Sequence, residues 1–171
     1  MTSETKTTDK SRVKGSTLVE IKGLKIEGYS DDKWHPIIKG LDLTLKRGEV
    51  VGLIGESGAG KSTLGLAAMG YTKPGCKITA GSVMFDGIDL VHASQDKLRD
   101  LWGSRISYVA QSASASFNPA HKLMEQVTES ALNHHVMERN AAEADAKDLF
   151  KRLQLPNPDT IGGRYPHQVS G

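Results

Sequence analysis

A chain of 171 residues and 18.5 kDa is the size of a single folding unit and can bury about two-thirds of the surface it exposes when unfolded. With 37% apolar and 25% charged residues, 18 glycines and 6 prolines, it is neither collagenous, coiled-coil nor wholly disordered, and reads as a globular α/β chain. The 22 basic against 20 acidic residues leave a net charge of +2, too small for a global pull toward nucleic acid or anionic lipid, so any anion site must be local.

The first seventeen residues are polar, with four basic and two acidic side chains and no apolar segment behind the initiator methionine, and read as a flexible tail. Residues 18–26 (LVEIKGLKI) and 37–45 (IIKGLDLTL) alternate apolar and polar side chains in part, the pattern of two half-buried strands forming an antiparallel pair. After Arg47-Gly48, residues 49–54 (EVVGLI) are apolar on both faces and bounded by turn residues, as expected of a central strand in a parallel sheet. A glycine-rich loop follows, then a helix from Lys61 through Leu64, Leu66, Ala67, Ala68 and Met69 to Gly70. Residues 82–85 and 88–90 flank Asp86-Gly87, a pair suited to the positive φ angles of a tight hairpin. Ser94 caps a helix through Leu101, and residues 106–110 (ISYVA) form a second buried strand ending at Gln111. Beyond the loop 112–119, Leu123, Val127 and Ala131 mark one amphipathic helix, and Ala146, Leu149, Phe150 and Leu153 a second, broken at residues 156–158. No apolar run approaches the roughly 20 residues of a membrane span, so a membrane role must come through a partner. Cys76 is the only cysteine and cannot form an intrachain disulfide.

Gly55-Glu56-Ser57-Gly58-Ala59-Gly60-Lys61-Ser62 satisfies the G-x-x-x-x-G-K-[ST] pattern of a phosphate-binding loop. Glycines let the backbone curl so that successive amide N–H groups converge on one concavity, and the following helix turns its positive dipole end toward the same spot. In this scheme Lys61 reaches the β- and γ-phosphates and the Ser62 hydroxyl binds Mg²⁺. The N–H groups of Gly58, Gly60, Ser62 and Thr63 wrap the diphosphate.

Around this loop, from about residue 18 to residue 171, the chain resembles the ATP-binding subunit of ABC transporters, in particular the branch that imports oligopeptides, dipeptides and nickel. Gln111 stands where that family carries a glutamine at the end of the strand after its phosphate loop. Residues 116–119 (SFNP) are similar to the S-L-N-P segment of the branch, and residues 165–171 (YPHQVSG) to the start of its signature Y-P-H-Q-[LF]-S-G-G, with valine in place of leucine or phenylalanine. The resemblance implies an α/β P-loop NTPase core, incomplete in this chain, with an antiparallel β subdomain and part of a helical subdomain. Its layout would be a core over residues 18–119 and a partial helical subdomain over 120–171. It implies Mg²⁺ and ATP as cofactors, with Gln111 sensing the Mg²⁺ and the water beside the γ-phosphate, and Tyr29, or its rival Trp34, stacking on adenine. Ser170 and Gly171 would contact the nucleotide held by a second ATP-binding subunit, identical or different. Partners would be the transporter's membrane subunits, with no nucleic acid and no direct membrane insertion. The location would be cytoplasmic, peripheral at the inner face of the cell membrane.

The family's catalytic base, second Mg²⁺ anchor and γ-phosphate histidine follow the signature, so the residues named here are expected to bind Mg-ATP without turning it over. Two other readings compete: a soluble P-loop kinase of small molecules with residues 120–171 as a lid, and a truncated product without function. His134, His135 and Glu138 suggest a metal pair but lack a third spaced ligand, and read as a solvated helix face. Cys76, in a Pro-Gly loop, reads as inert.

Overall fold

The computed structural model describes residues 13–112 and 116–169, which fall into two compact units divided between Leu98 and Arg99. The division lies inside a helix, ahead of residue 119, where the sequence changes character.

The first unit is built on one antiparallel sheet. Strands β1 (Thr17–Ser30) and β2 (Lys33–Lys46) pair as expected, joined through Asp31 and Asp32 at φ 50° and 58°. Positive φ at both central residues gives the turn the twist of the strands it joins. Strand β3 (Cys76–Phe85) pairs with the other edge of β1, and β4 (Ile88–Asp89) with β3, so the order is β2-β1-β3-β4. The Asp86-Gly87 turn adopts φ 48° and 81°, the hairpin expected from those residues. Val19, Ile21, Leu24 and Ile26 of β1 are buried although Ile21 and Leu24 are three apart, a spacing that would turn the second pair to the other face. A register shift between them restores the face, and the Gly23 N–H freed there donates to Asp42 Oδ1 at 2.6 Å. Val13 to Thr17 are not free: Gly15 N–H donates to the Arg47 carbonyl at 3.1 Å and Arg47 N–H to the Ser16 carbonyl at 2.8 Å.

Helix α1 (Lys61–Ala67) ends in a turn closed by Tyr71 N–H on the Leu66 carbonyl at 3.1 Å, with Gly70 at φ 75°. Helix α2 (Gln95–Leu101) carries the expected cap, Lys97 N–H donating to Ser94 Oγ at 3.2 Å.

The second unit holds α3 (Leu123–Asn133), α4 (Arg139–Arg152) and two short 3₁₀ turns, Ile161–Gly163 and Pro166–Gln168. Its core is Leu123, Ala146, Phe150 and Ile161, with Phe117, Met124, Leu155 and Val169 packed against them. Both expected helices form, but their buried stripes are rotated. In α3 the inward residues are Leu123 and Thr128, and Val127 faces out. Thr128 tolerates burial because its hydroxyl donates to the Met124 carbonyl at 2.8 Å. In α4 the stripe is Ala142, Ala146 and Phe150, while Leu149 and Leu153 are exposed.

The two expected core strands are the main departure. Residues 50–54 and 107–110 form no strand among the described residues, and Val50, Ile54 and Val109 are 96%, 98% and 93% exposed. An apolar run encodes a buried strand only where another strand completes its ladder, and no described segment pairs with either run.

Candidate nucleotide-phosphate site

The phosphate loop runs from the end of the unpaired apolar segment into α1. Gly58 and Gly60 both take φ 83°, a conformation costly for any residue with a β-carbon. At Gly60 the cause is also one of space: a Cβ there would lie 2.9 Å from Ile38 Cδ1 and 3.1 Å from Ile37 Cγ2. The loop therefore seats its last glycine against β2, whose apolar residues fix where α1 begins. The first hydrogen bond of the helix is Leu64 N–H to the Gly60 carbonyl at 2.8 Å, so the N–H groups of Lys61, Ser62 and Thr63 precede the ladder at the helix start.

The Lys61 ammonium lies inside the loop it is expected to serve, donating to the Gly55 carbonyl at 2.7 Å and the Glu56 carbonyl at 2.5 Å. Ala59 N–H donates back to the Glu56 carbonyl at 3.2 Å, closing the turn that contains Ser57. Residues 55–59 and Ser62 are solvent-exposed, so the concavity is open. An ammonium, a hydroxyl and curled main-chain amides are the donor set for a polyphosphate and its metal.

Tyr29 and the rival Trp34 are direct cross-strand partners at the β1–β2 tip, their ring centroids 5.2 Å apart and tilted by 56°. They form one aromatic pair. Lys77 Nζ stands 3.8 Å from the centre of the Trp34 ring and 3.4 Å from Glu27 Oε2. Tyr29 and Trp34 are 52% and 43% exposed.

Gln111 is exposed at the end of segment 107–110, in the second unit. Residues 116–121 are held by Ser116, part of the SFNP segment, and by Gln126, which no sequence pattern marked. Ser116 Oγ donates to the Ser112 carbonyl at 2.7 Å, and the Gln126 amide of α3 makes three bonds to residues 118–121. Tyr165 N–H is bound by Gln168 Oε1 at 2.9 Å, and the Tyr165 and His167 rings stack at 5.7 Å. Ser170 and Gly171 lie outside the described residues.

His134 caps the end of α3, its Nε2 donating to the Trp102 carbonyl at 2.7 Å, and His135 follows at φ 53°. The expected helix face is thus a helix end. Among the described residues no group of three His, Cys, Asp or Glu side chains is placed to hold a metal. Cys76 is a free, half-buried thiol opposite Gly28.

A family model described as ABC transporter matches residues 38–171. The chain belongs to the ABC transporter family. Within the family it is 31% identical over 159 residues to the oligopeptide transport ATP-binding protein OppD of Lactococcus lactis subsp. cremoris, covering 93% of this chain and 47% of that protein. It is 32% identical over 157 residues to the oligopeptide transport ATP-binding protein AppD of Bacillus subtilis, covering 91% and 48%. The chain thus spans about half the length of the curated relatives it matches. Among solved structures it is similar to the dimeric ATP-binding cassette MJ0796 in a post-hydrolysis state with ADP and Pi, with TM-score 0.71, 22% identity and coverage of 90% of this chain and 63% of that one. That likeness identifies the fold as the α/β fold of an ABC cassette, which the sequence resemblance anticipated.

Proposed function

We propose that the phosphate loop takes the triphosphate of Mg²⁺-ATP, and that the chain is the ATP-binding part of a transporter for peptides or similar small solutes. The observation that carries this reading is the placement of the Lys61 ammonium inside the curl of residues 55–60, already bonded to two loop oxygens. Phosphate oxygens offer the ammonium stronger, charge-assisted partners than those carbonyls. The names of the relatives, both oligopeptide transport ATP-binding proteins, support the solute class.

The residues present fit the metal as well as the nucleotide. Mg²⁺ keeps several waters and takes one or two protein oxygens beside phosphate oxygens, and the exposed Ser62 hydroxyl at the helix start is a ligand of that kind. When bound, the ion would neutralise charge on the β- and γ-phosphates. Lys61 would bind and orient the phosphates, and the N–H groups of Gly58, Gly60, Ser62 and Thr63 would surround the diphosphate. Glu56, Ser57 and Ala59 carry the loop's backbone past it. Gln111 is assigned to the Mg²⁺ side and Tyr29 to adenine. Turnover is not expected of this chain alone. Hydrolysis needs a base to activate water and further charge at the γ-phosphate, which Lys61, Ser62 and Gln111 do not supply.

In the whole protein, residues 18–119 would be the nucleotide core and 120–171 part of the helical subdomain. Partners would be membrane subunits and a second ATP-binding subunit reading its nucleotide through Ser170 and Gly171. Among the described residues no helix is long and apolar enough to cross a membrane, and the proposed place is the cytoplasmic face, held by the membrane subunits. Calorimetry on the full chain with ATP, ADP and AMP, each with and without Mg²⁺, tests the site. ATP and ADP should bind at least tenfold more tightly than AMP, with no phosphate release above background. Equal affinity for all three would overturn the phosphate-loop reading, and release at an ordinary enzymatic rate would overturn the non-turnover reading.

A further inference from the structure

We propose that Ile37 is a positioning residue for the phosphate loop, a role that rests on the reading of that loop as the holder of the triphosphate. Every residue involved lies in the first unit. Across the β1–β2 pair Ile26 faces Ile38 and Glu27 faces Pro36, so Ile37 between them is the extra residue of a β-bulge. Pro36 supplies a local reason: it has no N–H to give to a ladder, and a strand tolerates proline at an edge or a bulge. In a regular strand neighbouring side chains point to opposite faces, and Ile37 and Ile38 could not both meet one residue packed on the sheet. Here they do: a Cβ on Gly60 would stand 2.9 Å from Ile38 Cδ1 and 3.1 Å from Ile37 Cγ2. The bulge turns the second isoleucine onto the loop.

Ile37 is backed on its other side by β1. A Cβ on Gly28 would lie 2.7 Å from Ile37 Cδ1, so one branch of the isoleucine reaches toward Gly28 and the other toward Gly60. A β-branched side chain is stiff about χ1, which makes it a firm spacer between the strand and the loop. Gly60 precedes Lys61 and accepts the first hydrogen bond of α1, from Leu64 N–H at 2.8 Å, while the Lys61 ammonium folds back onto the Gly55 and Glu56 carbonyls. A displacement of Gly60 therefore carries the ammonium and the neighbouring amides with it. Donors that must reach several oxygens of one phosphate chain at hydrogen-bond length tolerate little displacement. The Ile37 side chain offers phosphate no polar atom, and its effect passes through Gly60.

The test sets Ile37→Leu against Ile37→Val in the full chain, with Lys61→Ala and Val19→Ala as comparisons. Calorimetry reads the affinity for ATP and for inorganic tripolyphosphate, both with Mg²⁺, and melting temperature is measured alongside. Leucine is an isomer of isoleucine that keeps its volume but has no Cγ2, the Ile37 side-chain atom nearest Gly60; valine keeps that atom and loses Cδ1. Ile37→Leu should weaken both ligands by about 3- to 10-fold, the loss expected for hydrogen bonds no longer aligned, whereas Ile37→Val should stay within about 2-fold of the parent. If the leucine variant does not fold, Ile37→Ala, which lacks both branches, takes its place with the same loss expected. Val19 is buried in β1 opposite Leu45 and Phe85, and Val19→Ala should lower the melting temperature at least as much as Ile37→Leu with no change in affinity. Valine binding more weakly than leucine, or an equal loss in Val19→Ala, would trace the effect to apolar area or general stability and overturn the proposal. Parent affinity in every Ile37 variant, with affinity lost in Lys61→Ala, overturns the proposal and leaves the loop reading standing. Parent affinity in Lys61→Ala overturns both.

Discussion

Lys61 Nζ sits 2.7 Å from the carbonyl oxygen of Gly55, so the loop's only ammonium is turned onto the loop's own first residue. A bound phosphate must compete with that contact and with the one to Glu56. Replacing the ammonium removes a charge-assisted donor to a site built of neutral amides. Lys61→Ala should therefore weaken ATP by about 10- to 100-fold, the equivalent of roughly 1.5–3 kcal/mol. Because the lost contacts are to exposed main chain, its melting temperature should stay within about 2 °C of the parent. Calorimetry and thermal unfolding on the same sample check both, and equal affinity would remove the loop from the reading.

Gly60 and Gly58 share one φ of 83° and differ in what surrounds them. At Gly58 a Cβ would meet nothing within 4 Å, and at Gly60 it would press on Ile38 and Ile37. Gly58→Ala should cost only the backbone term, about 1–2 kcal/mol. Gly60→Ala adds overpacking against β2 of about 1–3 kcal/mol and should be the less stable of the two in urea midpoint. An equal midpoint would mean that Gly60 is not seated on β2.

Phe150 and Leu149 are neighbours in α4 with opposite fates, the first 7% and the second 44% exposed. Phe150→Ala opens the core of the second unit and should cost about 3–5 kcal/mol, while Leu149→Gln should stay within about 0.5 kcal/mol. Chemical denaturation separates the two, and a large loss in the Leu149 variant would restore the stripe expected from apolar spacing alone.

What could be read from the residues was what is local. The phosphate loop is a short-range device whose glycines, Lys61 and Ser62 fall within eight residues, although the seat of Gly60 on β2 is not local, and Asp86-Gly87 and Ser94 act on their own turn and helix. Thr128 shows where pattern fails: a hydroxyl breaks the apolar count, yet it is buried because it bonds the helix behind it. The runs 50–54 and 107–110 have strand composition, but a ladder belongs to two segments and cannot be written in one. Gln126 gave no signal at all, since one glutamine on a helix is ordinary until the loop it binds is in place.

Arg47 and Asp86 join the end of β2 to the β3–β4 turn by an ion pair of 2.6 Å, with only 19% and 12% of the two side chains exposed. Little water reaches it, so salt screening is weak. Asp86→Ala should cost about 3–5 kcal/mol, the loss of a charge-assisted hydrogen bond together with the strain of alanine at φ 48°. Asp86→Asn keeps a residue tolerant of that φ and one oxygen acceptor, and should recover about 1–2 kcal/mol of the loss. Urea unfolding at low and at 1 M salt measures both; a parent stability that falls sharply with salt would contradict the partly buried character of the pair.

Among the described residues, Asp89 and His92 form a titratable contact whose pH dependence has a defined sign. The Asp89 carboxyl is held below its ordinary value of 3.8, first by the hydrogen bond from His92, with burial opposing and the Val91 N–H adding to the lowering. A carboxyl whose folded value is depressed contributes stability that is fully present above its unfolded value. That stability is lost as pH falls through the folded value. The contribution is thus intact at pH 5 and disappears on acidification below pH 3.8. His92 is 76% and Asp89 35% exposed, so solvent screens the pair and the effect is small. His92→Ala should lower the melting temperature at pH 5 and converge with the parent as the pH is taken toward 2.5. A gap that widened on acidification would reverse the sign and exclude the carboxylate as its source.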